Sequence, residues 1–332
     1  MKLIAETAWH HEGDFPFMTN LVTEICDKSE AAIVKMHITL DFDEYMSRDH
    51  DSYELLKSWL FTAEQWEKLI HIVRKSGKEL MLLLNDTSAI DFASQFSPEL
   101  VELHSVCLNV PKLNNAILEK ISQNSKVVIG VGGCTLQEVD VAVETFRDRS
   151  TILMFGFQNY PTIYENINLN KIRKIQSLYA DKEFGYADHT AWNESNHELI
   201  TLLVAANGMD YIEKHVTIDY GRERCDYSAA ISIEMMNNLA DRIRILEKLQ
   251  GDGFIGLNQG EKDYSQYGPM KMAAIANENI SKNSDFKPEN LSFCRTGQKT
   301  MMSQIAILKM KGKPVSKDVN KGQVIDWKHF EG

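Results

Sequence analysis

Short apolar runs alternate with longer amphipathic segments along the first 250 residues, and this alternation constrains the fold more than any other feature. A strand followed by a helix and another strand produces a parallel sheet with both faces covered by helices. Eight such units favour a closed (β/α)8 barrel over an open doubly wound sheet, and no GxGxxG motif follows the first run. The predicted strands are Leu3–Thr7, Ala32–Met36, Leu80–Leu84, Val101–Ser105, Val127–Val131, Ile152–Phe157, Phe184–Ala187 and Tyr211–Val216.

The amphipathic segments between the runs predict helices. These segments are Thr62–Lys75, Asn115–Ser122, Leu136–Arg147, Leu169–Leu178, Asn196–Asn207 and Ile233–Leu249. A glycine-rich break at Gly251–Gly256 ends this pattern, and short segments separated by turn residues then predict a small β-rich module. Those segments are Met272–Ala276, Leu291–Cys294 and Ser303–Leu308. We therefore expect a barrel over residues 1–255, a linker over 256–271 and a capping module over 272–332.

Charge and cysteine usage limit the classes of partner. The formal net charge of −11 and the pI of about 5.4 argue against nucleic acid and anionic membrane surfaces, which attract basic proteins. No apolar stretch approaches the length of a bilayer span, and five widely spaced cysteines without a CxxC motif are typical of reduced thiols. We expect a cytoplasmic protein that acts on a small molecule.

Two histidines stand where the last two predicted strands end. His189 follows the run Phe184–Ala187, and His215 lies near the end of Tyr211–Val216. Adjacent strands lie roughly 4.8 Å apart, so the two imidazoles could face the same lumen and bind one metal ion. The alternative is that each is a hydrogen-bonded core histidine, and the spacing alone does not decide between the two.

Other strand ends carry polar groups that suit a metal-assisted reaction on a carbonyl or phosphoryl group. Glu6, Lys35, Asn85, Ser105 and Asp188 all occupy such positions. Each also has an ordinary structural interpretation. Lys35 could extend to the surface, Glu6 could cap a helix, and Asp188 could orient a neighbouring ligand.

Five motifs and a C-terminal pattern resemble the sialic acid synthase family, the condensing enzymes of nonulosonic acid biosynthesis. The opening segment 4–13 is similar to IAEIGxNHxG, and residues 34–37 are similar to VKFQ or VKHQ. Residues 185–190 are similar to GxSDHT and residues 212–217 to IEKHFT, and these two motifs are the most specific. A supporting match is the YPT…NL stretch from Tyr160 to Leu169. Near the C-terminus, Ser281-Lys282 and Cys294–Gly297 resemble the SAF (antifreeze-like) domain of those enzymes.

The resemblance implies a barrel with a SAF domain that closes the site of the other subunit in a swapped homodimer. It implies that carbon 3 of phosphoenolpyruvate attacks the aldehyde of an open-chain N-acetylmannosamine-like sugar, with a divalent ion, usually Mn²⁺ but with Mg²⁺ or Co²⁺ as alternatives, as Lewis acid. By position, His189 and His215 would bind the metal. The implied catalytic residues are Glu6, Lys35 and Asp226, and the implied substrate contacts are Asn85, Ser105, Gln158, Tyr160, Asp188 and Arg295.

Departures from the family pattern concentrate where the phosphate should bind. Glu102 occupies the place of a second lysine, and Asn85, Gly130 and Ala187 occupy the places of hydroxyl residues. The lost attraction between that lysine and the donor phosphate is worth about 4 kcal/mol at 4 Å and an effective dielectric constant near 20. The repulsion between Glu102 and the phosphate is of similar size. The candidates for compensating cations are His10, His37, His104 and Lys112. On the sugar side, segment 155–158 replaces the family's HCxS or HCTN stretch, with Gln158 offering an amide.

Three functions remain open from the sequence. The first is a divergent synthase that condenses phosphoenolpyruvate with an unusual sugar aldehyde, which the retained Glu6, Lys35, Asp226 and histidine pair favour. The second is a metal-dependent aldolase-type enzyme with an unphosphorylated donor, which the altered phosphate site favours. The third is a non-catalytic sugar-binding homologue.

Overall fold

The computed structural model describes residues 1–156 and 159–331. The chain divides into two compact units, Met1–Gly251 and Asp252–Gly332. Within the described residues, no helix combines the length and the apolar character needed to cross a membrane.

The first unit is a closed barrel of eight parallel strands. Each strand pairs with its neighbour in chain order, and the first strand also pairs with the eighth, which closes the barrel. A short ninth strand pairs in parallel with the carboxyl end of the eighth. This confirms the predicted (β/α)8 fold. The strands are β1 (Lys2–Glu6), β2 (Ile33–Ile38), β3 (Glu79–Leu84), β4 (Leu100–Leu103), β5 (Lys126–Gly130), β6 (Thr151–Gly156), β7 (Glu183–Asp188), β8 (Tyr211–Thr217) and β9 (Ala230–Ser232).

Helices cover the outside of the barrel between successive strands. They are α1 (Phe15–Lys28), α2 (Phe42–Tyr45), α3 (Tyr53–Lys57), α4 (Ala63–Ser76), α5 (Thr87–Ser94), α6 (Pro111–Lys120), α7 (Leu136–Thr145), α8 (Tyr164–Ile167), α9 (Leu169–Leu178), α10 (His197–Ala205) and α11 (Ile233–Gln250). Local signals set where several of them begin. The side chain of Asp14 accepts a hydrogen bond from Phe17 N at the start of α1, and Thr62 forms a capping box with Gln65 at the start of α4.

The side chains that point into the barrel form two layers, because side chains alternate between the two faces of each strand. The lower layer is apolar and consists of Ile4, Ile33, Met81, Leu100, Val128, Ile152, Met154, Ala187 and Tyr211, all buried. Since side chains alternate along a strand, the residues two positions further on also face inward at the carboxyl ends. On β1, β2 and β8 those residues are Glu6, Lys35 and Glu213, so the apolar layer supports a polar one.

The second unit has its own small core. It contains α12 (Gln259–Tyr264) within the predicted linker, the antiparallel pair β10 (Ala273–Ala276) and β11 (Leu291–Cys294), and α13 (Gln304–Lys309). The segment Ser303–Leu308, which we expected to contribute to β structure, is instead helical because the Ser303 side chain caps α13 by accepting from Ala306 N at 3.0 Å. The core consists of Ala274, Ala276, Phe286, Leu291, Met302, Ile307, Met310, Val315, Val319 and Ile325.

Candidate active site

A cavity of about 250 Å³ opens at the carboxyl ends of the barrel strands. This face of a (β/α)8 barrel is where catalytic groups gather in enzymes of that architecture. Many of the predicted site residues, from seven different segments of the chain, line this one cavity. They are Glu6, Lys35, Ser105, Tyr160, His189, His215 and Asp226.

Four buried ionisable side chains form the floor of the cavity, and we call Glu6, Lys35, Glu102 and Glu213 the floor cluster. The ammonium nitrogen of Lys35 lies 2.9 Å from Glu6 Oε2, 2.6 Å from Glu102 Oε2 and 2.9 Å from Glu213 Oε1. None of the four side chains is more than 4% exposed. One ammonium therefore contacts three carboxyl groups in a region that water barely reaches.

Burial and mutual contact shift the pKa values of the floor cluster. Burial raises the pKa of Glu213 to about 8 and raises the pKa of Glu6, because a charged carboxylate loses its hydration there. Burial alone would lower the pKa of Lys35, but the nearby carboxylates of Glu102, Glu213 and Glu6 raise that pKa well above its ordinary value. At neutral pH, Lys35 is therefore a charged ammonium and Glu213 holds a proton.

Two histidines form the wall next to this floor. The rings of His189 and His215 have centroids 4.8 Å apart and are nearly perpendicular. Burial lowers the pKa of His189 to about 3 and lowers that of His215 well below its usual value, so both imidazoles are neutral at physiological pH. Neutral imidazole is the form that binds a metal ion.

The pair fits a divalent ion with open coordination positions. The Nδ1 atom of His215 is buried and has no hydrogen-bond partner in the described part of the chain, so it offers a lone pair to a ligand. Within residues 1–156 and 159–331, no three His, Cys, Asp or Glu side chains form a complete metal site. An ion here would therefore take two protein ligands and leave its other positions to water and substrate.

Tyr160 and Asp226 lie on the side of the cavity next to the histidines. The ring centroid of Tyr160 is 5.5 Å from that of His189, and its hydroxyl donates to the backbone oxygen of Asp226. Burial raises the pKa of Tyr160, so the phenol remains protonated. The carboxylate of Asp226 accepts from Trp9 N at 3.0 Å, which orients it at the cavity wall.

The structure does not bring Asp188 into the cavity. Its carboxylate accepts hydrogen bonds from Thr190 N at 2.8 Å and from Thr201 Oγ1 at 2.5 Å, and it lies 3.2 Å from Lys214 Nζ. Burial would raise its pKa, but Lys214 and the two threonine hydroxyls lower it. Asp188 thus faces α10 and lies on the opposite side of β7 from the cavity.

Asn85, another predicted substrate contact, is also not among the residues that line this cavity. Asn85 lines a neighbouring cleft, where its Nδ2 is 2.5 Å from His37 Nε2 and donates to Thr39 Oγ1 at 2.9 Å. Arg295 belongs to the second unit, is exposed, and donates from Nε to Pro269 O at 2.9 Å. Gln158, like Phe157 at the end of a predicted strand, lies outside the described residues.

Sequence reasoning missed Glu213 as a member of the site. Its signal was present, because Glu213 stands two positions before His215 on the same strand, and alternation places both side chains on the inner face. The same alternation places the side chains of Asp188 and His189 on opposite faces, so His189 lines the cavity and Asp188 does not. Residues Trp9, Tyr45 and Met154 also line the cavity and carried no sequence signal beyond their apolar or aromatic character.

Comparisons with known proteins agree with this geometry. Residues 28–254 match the NeuB family. The N,N'-diacetyllegionaminic acid synthase of Legionella pneumophila is 25% identical over 349 residues, which cover 99% of this chain and 94% of that protein. Among solved structures, the protein assigned as spore coat polysaccharide biosynthesis protein E in Chromobacterium violaceum has a TM-score of 0.83 at 18% identity, with 100% of both chains covered. The N-acetylneuraminic acid synthetase of Leptospira borgpetersenii has a TM-score of 0.71 at 22% identity, covering 79% of this chain and 88% of that one.

Proposed function

The chain belongs to the NeuB family, and from that premise we propose that it is a sugar-acid synthase. It joins carbon 3 of a three-carbon donor to the aldehyde carbon of an N-acetylmannosamine-like sugar. The observation that carries this proposal is the convergence of two neutral imidazoles, a permanently charged lysine and several carboxylates on one barrel cavity. That set of groups suits carbon–carbon bond formation at a polarised carbonyl.

His189 and His215 would hold the divalent ion, which we propose is Mn²⁺, with Mg²⁺ and Co²⁺ as alternatives. When bound, such an ion supplies Lewis acidity to a carbonyl oxygen. The neutral state of both rings and the lone pair on His215 Nδ1 support this assignment. Asp188, hydrogen bonded behind β7 next to His189, fixes the end of the strand that carries this ligand.

Tyr160, Asp226 and Glu6 would orient the acceptor sugar and exchange protons with it. The Tyr160 hydroxyl donates a hydrogen bond to the backbone oxygen of Asp226. This contact holds the Tyr160 ring at the cavity wall. One oxygen of Glu6 accepts from Ala8 N at 2.8 Å, and its other oxygen lies beside Lys35. Both carboxylates are therefore held in defined orientations, which is what proton transfer to a developing alkoxide requires.

The donor end of the cavity is the floor cluster with Ser105 beside it. Phosphoenolpyruvate is the donor that the family resemblance implies, with attack from carbon 3, addition of water at carbon 2 and departure of phosphate. A metal-dependent aldolase-type reaction with an unphosphorylated donor is the second candidate. The three carboxylates around Lys35 favour that second candidate, because they occupy the ammonium that a phosphate would need.

We further propose that the unit Asp252–Gly332 is a SAF-type domain and that the protein acts as a swapped homodimer, in which each second unit closes the barrel cavity of the other subunit. The support is the resemblance of Cys294–Gly297 to the family motif and the exposed guanidinium of Arg295. Arg295 would then contact the acyl group of the sugar.

Product formation tests the proposed function. The protein is incubated with Mn²⁺, N-acetylmannosamine and related acetamido sugars, and with either phosphoenolpyruvate or pyruvate, and the products are analysed by mass spectrometry. We expect a nine-carbon 2-oxo sugar acid with at least one donor, and its loss in the His215→Ala variant. Binding of sugar without any such product would instead support the non-catalytic homologue.

A further inference from the structure

A buried ion pair lies directly behind the two histidines of the cavity wall. Asp188 on β7 and Lys214 on β8 are partners in the register of the two strands, and Lys214 Nζ lies 3.2 Å from Asp188 Oδ2. The two side chains are 1% exposed or less. His189 and His215 follow them in the chain and line the cavity. Since side chains alternate between the faces of a strand, the ion pair lies on the outer face where the histidines lie on the inner one.

The ion pair stands at the last level at which backbone pairing joins the two strands. The paired positions run from Gly185 with Tyr211 to Asp188 with Lys214. The strand β7 ends there, whereas β8 continues for three more residues. The separation of the two histidines, one position further on, therefore depends on side-chain contacts at this level as well as on the ladder.

The carboxylate of Asp188 also fixes the backbone that carries His189. Its Oδ1 accepts from Thr190 N at 2.8 Å and from Thr190 Oγ1 at 2.6 Å, and this contact two residues along the chain closes a turn around His189. Its Oδ2 accepts from Thr201 Oγ1 at 2.5 Å. On the other side, the backbone oxygen of His189 accepts from Thr162 N at 2.8 Å. The direction in which the His189 ring points is therefore set by this carboxylate and its partners.

Stability alone is a weak reason for an ion pair at this place. Two charges lose their hydration on burial, and well-packed apolar residues in place of a buried ion pair are often as stable or more stable. The residues two positions earlier on the same faces, Tyr186 and Ile212, are fully buried in the hydrophobic core. The ion pair thus interrupts an apolar layer. Unlike an apolar contact, it fixes both the distance and the direction between two side chains.

We infer that Asp188 and Lys214 are positioning residues that set the separation of His189 and His215 for a divalent ion. This inference rests on the proposed function, in which the two histidines hold that ion. Asp188 acts through the turn around His189, and Lys214 joins that turn to the strand that carries His215. Both act on the outer face of the strands, and the ion would be bound on the inner face.

Metal affinity, measured apart from stability, tests the inference. The double variant Asp188→Asn/Lys214→Met removes both charges and leaves no buried charge without a partner, so its barrel should fold, which circular dichroism checks. The full-length protein and the variant are titrated with Mn²⁺ by calorimetry. We expect the variant to bind one ion with an affinity about 10- to 100-fold lower, the usual effect of removing a residue that orients a metal ligand.

The visible absorption of bound Co²⁺ gives a second measurement that a merely structural role would not change. The absorption bands of this ion depend on the geometry of its ligands. In the double variant the bands should shift, because the two imidazoles no longer keep their mutual arrangement. The unmodified protein and the control should give the same spectrum.

Two further variants separate positioning from general effects on the barrel. Lys126→Met/Glu183→Gln is the matched control, because it removes an ion pair at the opposite end of β7. It should bind Mn²⁺ with the affinity of the unmodified protein, whatever its effect on stability. Thr201→Val keeps both charges of the pair and removes one hydroxyl that donates to Asp188. It should lose affinity, but less than the double variant does.

The outcomes distinguish this inference from the proposed function. Unchanged Mn²⁺ affinity and an unchanged Co²⁺ spectrum in the double variant would overturn the inference and leave the metal assignment intact, and so would an equal loss in the control. If the double variant does not fold, unchanged affinity in Thr201→Val overturns the inference instead. Absence of Mn²⁺ and Co²⁺ binding in the unmodified protein would overturn the metal assignment together with the inference, whereas the sugar-acid synthase function is tested separately by product formation.

Discussion

Replacing Lys35 with methionine tests the electrostatic description of the floor cluster. Methionine has a similar length and fills the space, but it leaves Glu6, Glu102 and Glu213 without their cation. Buried carboxylates without a partner take up protons rather than remain charged. The folded variant must therefore bind more protons than the unfolded chain at any pH above the ordinary carboxyl pKa of 4.5.

The size of the effect follows from those protons. Protonating one carboxyl of ordinary pKa 4.5 at pH 7 costs about 3.4 kcal/mol, at about 1.36 kcal/mol per pH unit. Glu213, with a pKa of about 8, is already protonated at pH 7 and adds little. Glu6 and Glu102 together then destabilise the variant by up to about 7 kcal/mol at pH 7 but only about 1.4 kcal/mol at pH 5. The value is an upper limit because the pKa of Glu6 is already raised.

The sign of the pH dependence is definite. Because the folded variant binds the extra protons, its free energy of unfolding relative to that of the unmodified protein falls as pH rises, by up to about 2.7 kcal/mol per pH unit. The unmodified protein has a weaker trend of the same sign, because between pH 4.5 and about 8 the folded protein retains a proton on Glu213 that the unfolded chain releases. Typical domains are stable by only about 5 to 15 kcal/mol, so the variant should fold at pH 5 and be largely unfolded near pH 8.

Urea unfolding at pH 5, 6 and 7 measures this difference. Tryptophan fluorescence reports mainly on the barrel, because Trp9, Trp59, Trp66 and Trp192 lie in the first unit and Trp327 in the second. The double variant Lys35→Met/Glu102→Gln has one carboxylate fewer, so the change in its free energy of unfolding per pH unit should be roughly half as large. The control Lys112→Met removes an exposed lysine with one carboxylate partner and should change stability by less than about 1 kcal/mol. A destabilisation of Lys35→Met that is the same at pH 5 and pH 7 would refute the reasoning.

Three further predictions concern the metal pair, its support and the assembly. Replacing His189 or His215 with alanine should abolish stoichiometric binding of Mn²⁺ in calorimetric titration, whereas the control His197→Ala, on α10 outside the cavity, should not; unchanged binding in both variants would disprove the metal assignment. Asp188→Asn should destabilise the barrel by about 3 to 5 kcal/mol in urea unfolding, because it leaves Lys214 buried without its partner, and a loss below 1 kcal/mol would contradict that account. Light scattering should show a dimer, and a fully active monomer would rule out the swapped arrangement.

The barrel was predictable because its signal is repeated eight times. An apolar run followed by an amphipathic segment is local information, and closure follows from the number of such units. Among the barrel helices of eight residues or more, α1 and α5 were not predicted, and neither were the short helices α2, α3 and α8. The first is rich in aromatic and β-branched residues, yet Asp14 and Pro16 mark its start and Met18, Leu21, Val22 and Ile25 form its buried face. Ser303–Leu308 was misassigned because the apolar pattern of a six-residue segment fits a strand as well as a helix. The Ser303 side chain, which caps the first turn, favours the helix.

The site was predictable to the extent that strand alternation fixes which side chains face inward. His189, His215, Glu6 and Lys35 follow from that rule and the position of each strand end. The same rule applied strictly would have excluded Asp188 and included Glu213. The contacts of Lys35 with three carboxylates could not be predicted, because they depend on the register between strands that are far apart in the chain.

A crystal structure of the protein soaked with Mn²⁺ and phosphoenolpyruvate, and in a second crystal with Mn²⁺ and pyruvate, tests the central claim most directly. Our account predicts an anomalous manganese peak between His189 and His215 in both crystals, and density for the donor beside the floor cluster and Ser105 in at least one of them. Donor density in neither crystal, or manganese absent from the two histidines, would contradict the proposed site.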